Sequence, residues 1–157
     1  MGELDAEIVL RHARGPAPVD LDVLSRDLGL PVLVQPMEDG VAGKLERHAH
    51  SPRGFRIVIN ARDPEARKRF THAHEIAHFV MHRDLVPDGL VDNALYRSSL
   101  SDEYERQANR YAASILLHAA AVRAAYRESK ALAVLAEKFG VSVDAMRIRL
   151  KELGLAP

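Results

Sequence analysis

The stretch that decides the fold is FTHAHEIAHFVMHR, residues 70–83, which holds four of the chain's eight histidines. Within it, His74, Glu75 and His78 form an H-E-x-x-H motif. Residues four apart on a helix face the same side, with Cβ atoms about 5–6 Å apart, so two imidazoles can reach one metal ion. The apolar residues around the motif would bury such a helix and fix its histidines, which disfavours a solvated helix with scattered histidines. The stretch therefore predicts a metal-binding helix.

Glu75 supplies the residue type that hydrolysis needs beside such a metal. A zinc ion with three protein ligands keeps a fourth position for water and lowers the pKa of that water to about 7. Glu75 lies next to the first ligand, from where it can reach the water rather than the metal. It would act as the general base, while zinc polarises a peptide carbonyl. The motif therefore predicts a zinc metallopeptidase, with Mn²⁺ as a possible alternative metal.

The third ligand lies outside the motif, and two acids compete for the role. Asp84 has the spacing of a known ligand pattern, but that pattern needs a sharp turn, usually at a glycine, and Met81 occupies that position. Glu105 lies on a second predicted helix, where small alanines allow close approach to the histidine helix. We favour Glu105 as the ligand, rather than a surface acid that pairs with its neighbours. Asn109, four residues on, would accept the N–H of a ligand histidine and fix its tautomer.

The remaining histidines and the tyrosines receive weaker assignments. His82 continues the row of His78 by one turn, and we predict a structural or supporting role for it rather than ligation. His72 points to another face and is predicted to have no catalytic role. The residue that stabilises the oxyanion stays open. The candidates are His82, Tyr96, Tyr104, Tyr111 and His118.

Composition limits the classes of protein that fit. The 157 residues carry 22 basic and 22 acidic side chains, and this zero net charge argues against charge-driven nucleic-acid binding. There is no cysteine, which excludes disulfides and Cys-ligated zinc. The acidic start does not match a signal peptide, and no apolar run approaches the roughly 18 residues that span a bilayer. We expect a soluble cytoplasmic protein, with its oligomeric state open.

Periodicity and turn residues predict an α+β fold in one domain, residues 1–157. Helices are expected over residues 3–14, from the N-cap Asp20 to Leu28, from Pro64 to His82 after a cap at Asp63, and over 101–128. Residues 83–101 are predicted to be mostly loop. Apolar runs predict three strands that form a small antiparallel sheet. The strands are expected at residues 30–36, 41–49 and 55–61.

The C-terminal residues 131–153 resemble a helix-turn-helix, with two short helices around Gly140 and a cap at Ser142. From Val122 to Pro157 there are seven basic and four acidic residues, a net charge of +3. This excess is small, and no set of base-reading side chains is evident. We favour a structural pair that packs on the core over a DNA reader.

The chain resembles the ImmA/IrrE-type metallopeptidases of bacteria, phages and mobile elements. The resemblance extends from about residue 20 to the end and rests on THAHEIAHFVMH, ERQANRYAASILL and LAEKFGVSVDAMRIRLKELGL. It implies a gluzincin-like zincin core, with His74, His78 and Glu105 as zinc ligands and Glu75 as base. It also implies a substrate class, helix-turn-helix repressors of the Xre type that are cleaved under stress. The sequence departs from the family's usual Met-Pro at His118-Ala119, which affects expected substrate contacts rather than the metal residues.

Overall fold

The computed structural model describes residues 2–86 and 102–155. The first part contains three helices and a three-stranded sheet, and the second contains four helices. A single 3-10 turn at Arg83–Leu85 ends the first part. The first-part elements are α1 (Gly2–Ala13), α2 (Leu21–Asp27), β1 (Val32–Gln35), β2 (Gly43–Arg47), β3 (Phe55–Asn60) and α3 (Glu65–His82). The second-part elements are α4 (Asp102–Leu116), α5 (Ala119–Glu128), α6 (Leu132–Phe139) and α7 (Val143–Glu152).

The predicted α+β class is confirmed, but the prediction of a purely antiparallel sheet is wrong. The strand order is β1-β3-β2, so β3 lies in the centre. β2 pairs with β3 antiparallel, whereas β1 pairs with β3 parallel. The segment between β1 and β2 therefore crosses from one edge of β3 to the other. Five of the six residues of β3 are buried, as its central position requires.

Helix α3 runs through the middle of the protein and is buried on nearly all sides from Thr71 to Phe79. It packs against β2, β3 and α4 and also contacts α1 and α2. A Cβ on Gly43 of β2 would lie 2.5 Å from the Val58 carbonyl oxygen and 2.7 Å from Thr71 Cγ2. Only glycine therefore lets β2 lie this close to α3.

The predicted helix starts and ends are met at several positions. Asp20 caps α2 by accepting hydrogen bonds from two backbone N–H groups, and Ser142 caps α7. At α3 the N-cap is Pro64 rather than the predicted Asp63, and no side chain caps this helix. The predicted single helix over 101–128 is two helices, because the chain turns at Leu117 and His118. The loop predicted over 83–101 lies outside the described residues from 87 onward.

The C-terminal pair, α6 and α7, is part of the hydrophobic core. Phe139, Met146 and Leu150 are each at most 3% exposed. Gly140 ends α6 in the left-handed conformation, with φ of 68°, and its carbonyl accepts a hydrogen bond from Arg69 Nε of α3 at 3.1 Å. A hydrogen bond thus connects the pair to the histidine helix, and the structural interpretation of residues 131–153 stays a prediction.

A buried ion-pair cluster joins the N-terminal helix to the turn between β2 and β3 and to the residue after α3. Asp5 of α1 is 1% exposed and accepts two hydrogen bonds from Arg53, at 2.9 and 3.1 Å. Arg83, just after α3, donates a third at 3.0 Å.

Of the helices in the described residues, none is long and apolar enough to cross a membrane.

Candidate metal centre

Helices α3 and α4 pack together and bring three predicted site residues to one point. Nε2 of His74 lies 3.2 Å from Oε1 of Glu105, and Nε2 of His78 lies 3.2 Å from Oε2 of the same carboxylate. Both histidines are at most 2% exposed, and the Glu105 side chain is 16% exposed. We call His74, His78 and Glu105 the His–Glu cluster.

The His–Glu cluster has the donor atoms and spacing of a zinc site. Two nitrogen atoms and one carboxylate oxygen can be chosen that all lie within 4.8 Å of one another. Ligand atoms about 2.1 Å from a tetrahedral zinc ion lie roughly 3.4 Å apart, close to the 3.2 Å separations here. Two imidazoles and one carboxylate are also a common catalytic zinc set, which leaves a position open. The residues present therefore fit a divalent metal ion.

The charge state of Glu105 suits this role. Burial works to raise the pKa of Glu105, but the contacts with the two neighbouring imidazoles, His74 and His78, outweigh it and lower that pKa below its usual value. The carboxylate is therefore ionised at neutral pH and offers a negative charge to a cation.

Glu75 is fully buried beside the His–Glu cluster, with 0% exposure. It follows His74 directly on α3, so its side chain leaves the helix at a different angle from the two imidazoles. An acid is costly to bury without a purpose or compensating contacts, so its place beside two histidines is informative.

His82 contacts the cluster through a chain of hydrogen bonds. Its Nδ1 lies 2.9 Å from Nδ1 of His78, and its Nε2 lies 2.9 Å from Oε1 of Gln107 on α4. The amide oxygen of Gln107 can only accept, so Nε2 of His82 donates and its Nδ1 accepts. His78 then donates from Nδ1, which leaves the lone pair of its Nε2 directed at the cluster. These contacts favour the Nδ1–H tautomer of His78, which is the tautomer that ligation through Nε2 would need.

Asn109, which the sequence predicted to support a ligand histidine, lies on the protein surface. It is exposed on α4 and lines a groove beside the cluster. Within the described part of the chain, no hydrogen bond joins it to His74 or His78. Its role as an acceptor for a ligand imidazole stays a prediction. Gln107 was missed, because a single glutamine at this spacing carries no recognisable signal.

The alternative ligand Asp84 and the fourth histidine of the stretch both lie apart from the cluster. Asp84 is exposed on the 3-10 turn and is not part of the His–Glu cluster. His72 Nε2 instead forms a 2.7 Å hydrogen bond with Ser25 Oγ of α2. Burial lowers the pKa of His72 to about 4, so this ring is neutral at pH 7 and has a structural contact.

The candidates for the oxyanion stabiliser separate by position. The ring of Tyr104 lies 4.9 Å from the ring of His82, next to the cluster. His82 itself uses both ring nitrogens in hydrogen bonds. Tyr111 is half-buried, and burial raises its pKa. His118 is the N-cap of α5, and Tyr96 lies outside the described residues. Tyr104 is therefore the best-placed candidate.

Similarity to known proteins identifies the family of this chain. The model of a peptidase family, the IrrE N-terminal-like domain, matches residues 27–151. The chain belongs to this peptidase family. The ImmA/IrrE resemblance is thereby confirmed, and membership supports a metallopeptidase-type role. No curated protein sequence gives a significant match.

Solved structures of similar fold include a Mycobacterium tuberculosis transcriptional regulator. The superposition has a TM-score of 0.62 at 20% sequence identity and covers 96% of this chain. This family member spans about half of that structure, since only 47% of the regulator is matched. At this identity the likeness concerns the fold.

Proposed function

We propose that the chain is a zinc-dependent endopeptidase in which His74, His78 and Glu105 hold the metal and Glu75 is the catalytic base. The observation that carries this proposal is the meeting of two α3 imidazoles with one α4 carboxylate, next to a fully buried glutamate. Family membership supports the same reaction type. Mn²⁺ is the alternative metal for the same ligand set.

The chain's own residues supply the positioning and the proton transfer. When bound, zinc would polarise the scissile carbonyl and make water acidic enough to react at neutral pH. Glu75 would accept the proton of the attacking water and return it to the leaving amine. Glu105 would offer its negative charge to the metal. His78 would offer the lone pair of Nε2, because its contacts with His82 and Gln107 favour the Nδ1–H tautomer. Tyr104 would donate a hydrogen bond to the oxyanion.

The substrate proposed from the family resemblance is a helix-turn-helix repressor of the Xre type, cleaved in a stress or mobile-element response. Such a substrate would place the protein in the cytoplasm, which stays a prediction. The alternative is a regulator or toxin–antitoxin partner that binds a repressor without cutting it. The matching fold in a transcriptional regulator favours that alternative, whereas the buried Glu75 favours the peptidase, because binding alone needs no base.

The test is to incubate the purified protein, loaded with Zn²⁺ or Mn²⁺, with the helix-turn-helix repressor encoded beside it. Wild type should cleave the repressor. Glu75→Gln should slow cleavage by roughly 10²- to 10⁴-fold, the usual contribution of a general base, and keep its metal. Glu65→Gln is the matched control, because Glu65 is exposed on the same helix. Repressor that is bound but left intact by the metal-loaded wild type would establish the regulator instead.

A further inference from the structure

A groove of about 780 Å³ lies beside the His–Glu cluster, between the start of α3, the middle of α4 and α7. Its apolar lining includes Phe70, Ala113 and Ile148. Ile148 is 60% exposed although it is a large apolar side chain. The volume is typical of binding clefts, and Ile148 offers an exposed apolar side chain within it.

The groove is positively charged. Its lining contains four arginines against two acids, Asp144 and Glu152. Both acids already pair with arginines of their own helix, α7. Arg67 of α3 and Arg110 of α4 are exposed, and within residues 2–86 and 102–155 they form no ion pair. These two guanidinium groups, on the two helices that carry the His–Glu cluster, are available to an incoming carboxylate.

One end of the groove lies close to the candidate metal centre, although His74, His78 and Glu105 are not among its lining residues. The ring of Phe70, which lines the groove, lies 6.2 Å from the ring of His74. On the facing helix, Arg106 and Asn109 line the groove, and they follow Glu105 by one and four residues. A peptide in the groove would therefore lie along α3 and α4, with one end near His74.

We propose that this groove binds the segment of the protein substrate next to the scissile bond, and that this segment carries acidic side chains among apolar ones. The proposal rests on the endopeptidase function proposed above. Apolar side chains would cover Phe70, Ala113 and Ile148, and a carboxylate would pair with Arg67 or Arg110. Guanidinium groups form planar, two-point hydrogen bonds with carboxylates, which gives orientation as well as attraction.

The experiment measures binding separately from cleavage. The zinc-loaded Glu75→Gln protein is titrated into fluorescein-labelled peptides that alternate leucine with glutamate, glutamine or lysine, and anisotropy is recorded. The glutamate peptide should bind roughly fivefold more tightly than the glutamine peptide, because one exposed ion pair contributes up to about that factor. The lysine peptide should bind most weakly.

Charge reversal at the two arginines provides the decisive variant. Arg67→Glu/Arg110→Glu, in the same Glu75→Gln background, should reverse the order and prefer the lysine peptide. A misfolded protein could not gain this preference. The matched control is Arg123→Glu/Arg127→Glu, the same charge change at exposed positions on α5 outside the groove, and it should keep the glutamate preference.

Equal binding of the three peptides, or a glutamate preference that survives the reversal at Arg67 and Arg110, would overturn the proposal. A labelled DNA duplex that binds more tightly than the glutamate peptide at about 0.15 M salt, and only while both arginines are present, would show a nucleic-acid site instead. If wild type cleaves the repressor but the three peptides bind equally well, only the assignment of the groove is wrong. If the peptides bind with the expected preference but the repressor is not cleaved, only the endopeptidase function is wrong.

Discussion

Asp5 and Glu105 are both carboxylates that lie between two nitrogen-bearing side chains. Asp5 contacts the guanidinium groups of Arg53 and Arg83, whereas Glu105 contacts the imidazoles of His74 and His78. Guanidinium groups stay protonated and have no lone pair to offer a metal, so the negative charge of Asp5 is always balanced by positive charges. Imidazoles can be neutral and can turn a lone pair toward a cation. The partners, rather than burial of the acid, separate a structural ion pair from a candidate metal site.

Glu105→Gln is the change with the largest expected effect on metal binding. It removes the negative charge and a ligand oxygen, so metal affinity should fall by more than the roughly 100-fold seen for outer-shell partners. Metal content per protein, measured after dialysis, checks this. Glu103→Gln, an exposed acid on the same helix, and Asp84→Asn, the alternative ligand, should both keep their metal. Full metal content in Glu105→Gln would refute the ligand assignment.

Asp5→Asn should have the opposite pattern, with lower stability and unchanged metal content in the folded protein. It leaves two guanidinium groups without their counter-charge in a largely buried setting, which costs about 3 kcal/mol of unfolding free energy. Urea denaturation followed by circular dichroism measures the loss. Glu128→Gln, which breaks the exposed pair with Lys138, should leave the midpoint nearly unchanged. An unchanged midpoint in Asp5→Asn would contradict the structural role.

His82→Phe and Gln107→Leu test whether the tautomer of His78 is set from outside the cluster. Each should weaken metal binding by roughly 10- to 100-fold, with the smaller effect at Gln107, which acts through His82. Long-range ¹H–¹⁵N NMR of the metal-free protein should show the Nδ1–H tautomer of His78 in wild type and a mixture in both variants. A single Nδ1–H tautomer in both variants would exclude the relay.

The smallest expected effect is a pH dependence at Asp5. Burial works to raise its pKa, but hydrogen bonds and charge from Arg53 and Arg83 outweigh it and hold the pKa below the usual value. A lowered folded-state pKa contributes stability above the unfolded value of about 3.9, and that contribution is lost as pH falls through the folded pKa. The stability difference between wild type and Asp5→Asn should therefore be constant near neutrality and shrink in acid. If the stability difference between wild type and Asp5→Asn grew below about pH 4, the pKa of Asp5 would not be lowered in the folded protein.

Local patterns predicted the elements well, and contacts between distant residues account for what was missed. The H-E-x-x-H spacing and the small residues of α4 were enough to select His74, His78 and Glu105. The direction of pairing of β1 depends on whether β1 joins β2 or β3, and the composition of the strands does not determine which of them it joins. Asp5 and Gln107 likewise depend on partners 48 and 25 residues away in the chain, respectively. Glu105 is also distant in the chain from its two histidines, but the small residues around it indicated an approach to α3, and neither Asp5 nor Gln107 has such a local pattern.

The hydrogen bond from Arg69 to the Gly140 carbonyl links the histidine helix to the turn that begins the far wall of the groove. The width of the groove is therefore set by the same packing that stabilises the C-terminal helices. Under the proposed roles of the groove and the metal, loosening that packing, for example with Met146→Ala, would alter the fit of substrate before it altered the chemistry. In kinetic terms, such variants would raise KM while kcat stayed close to that of wild type. Substrate selectivity in this protein would then evolve through its hydrophobic core.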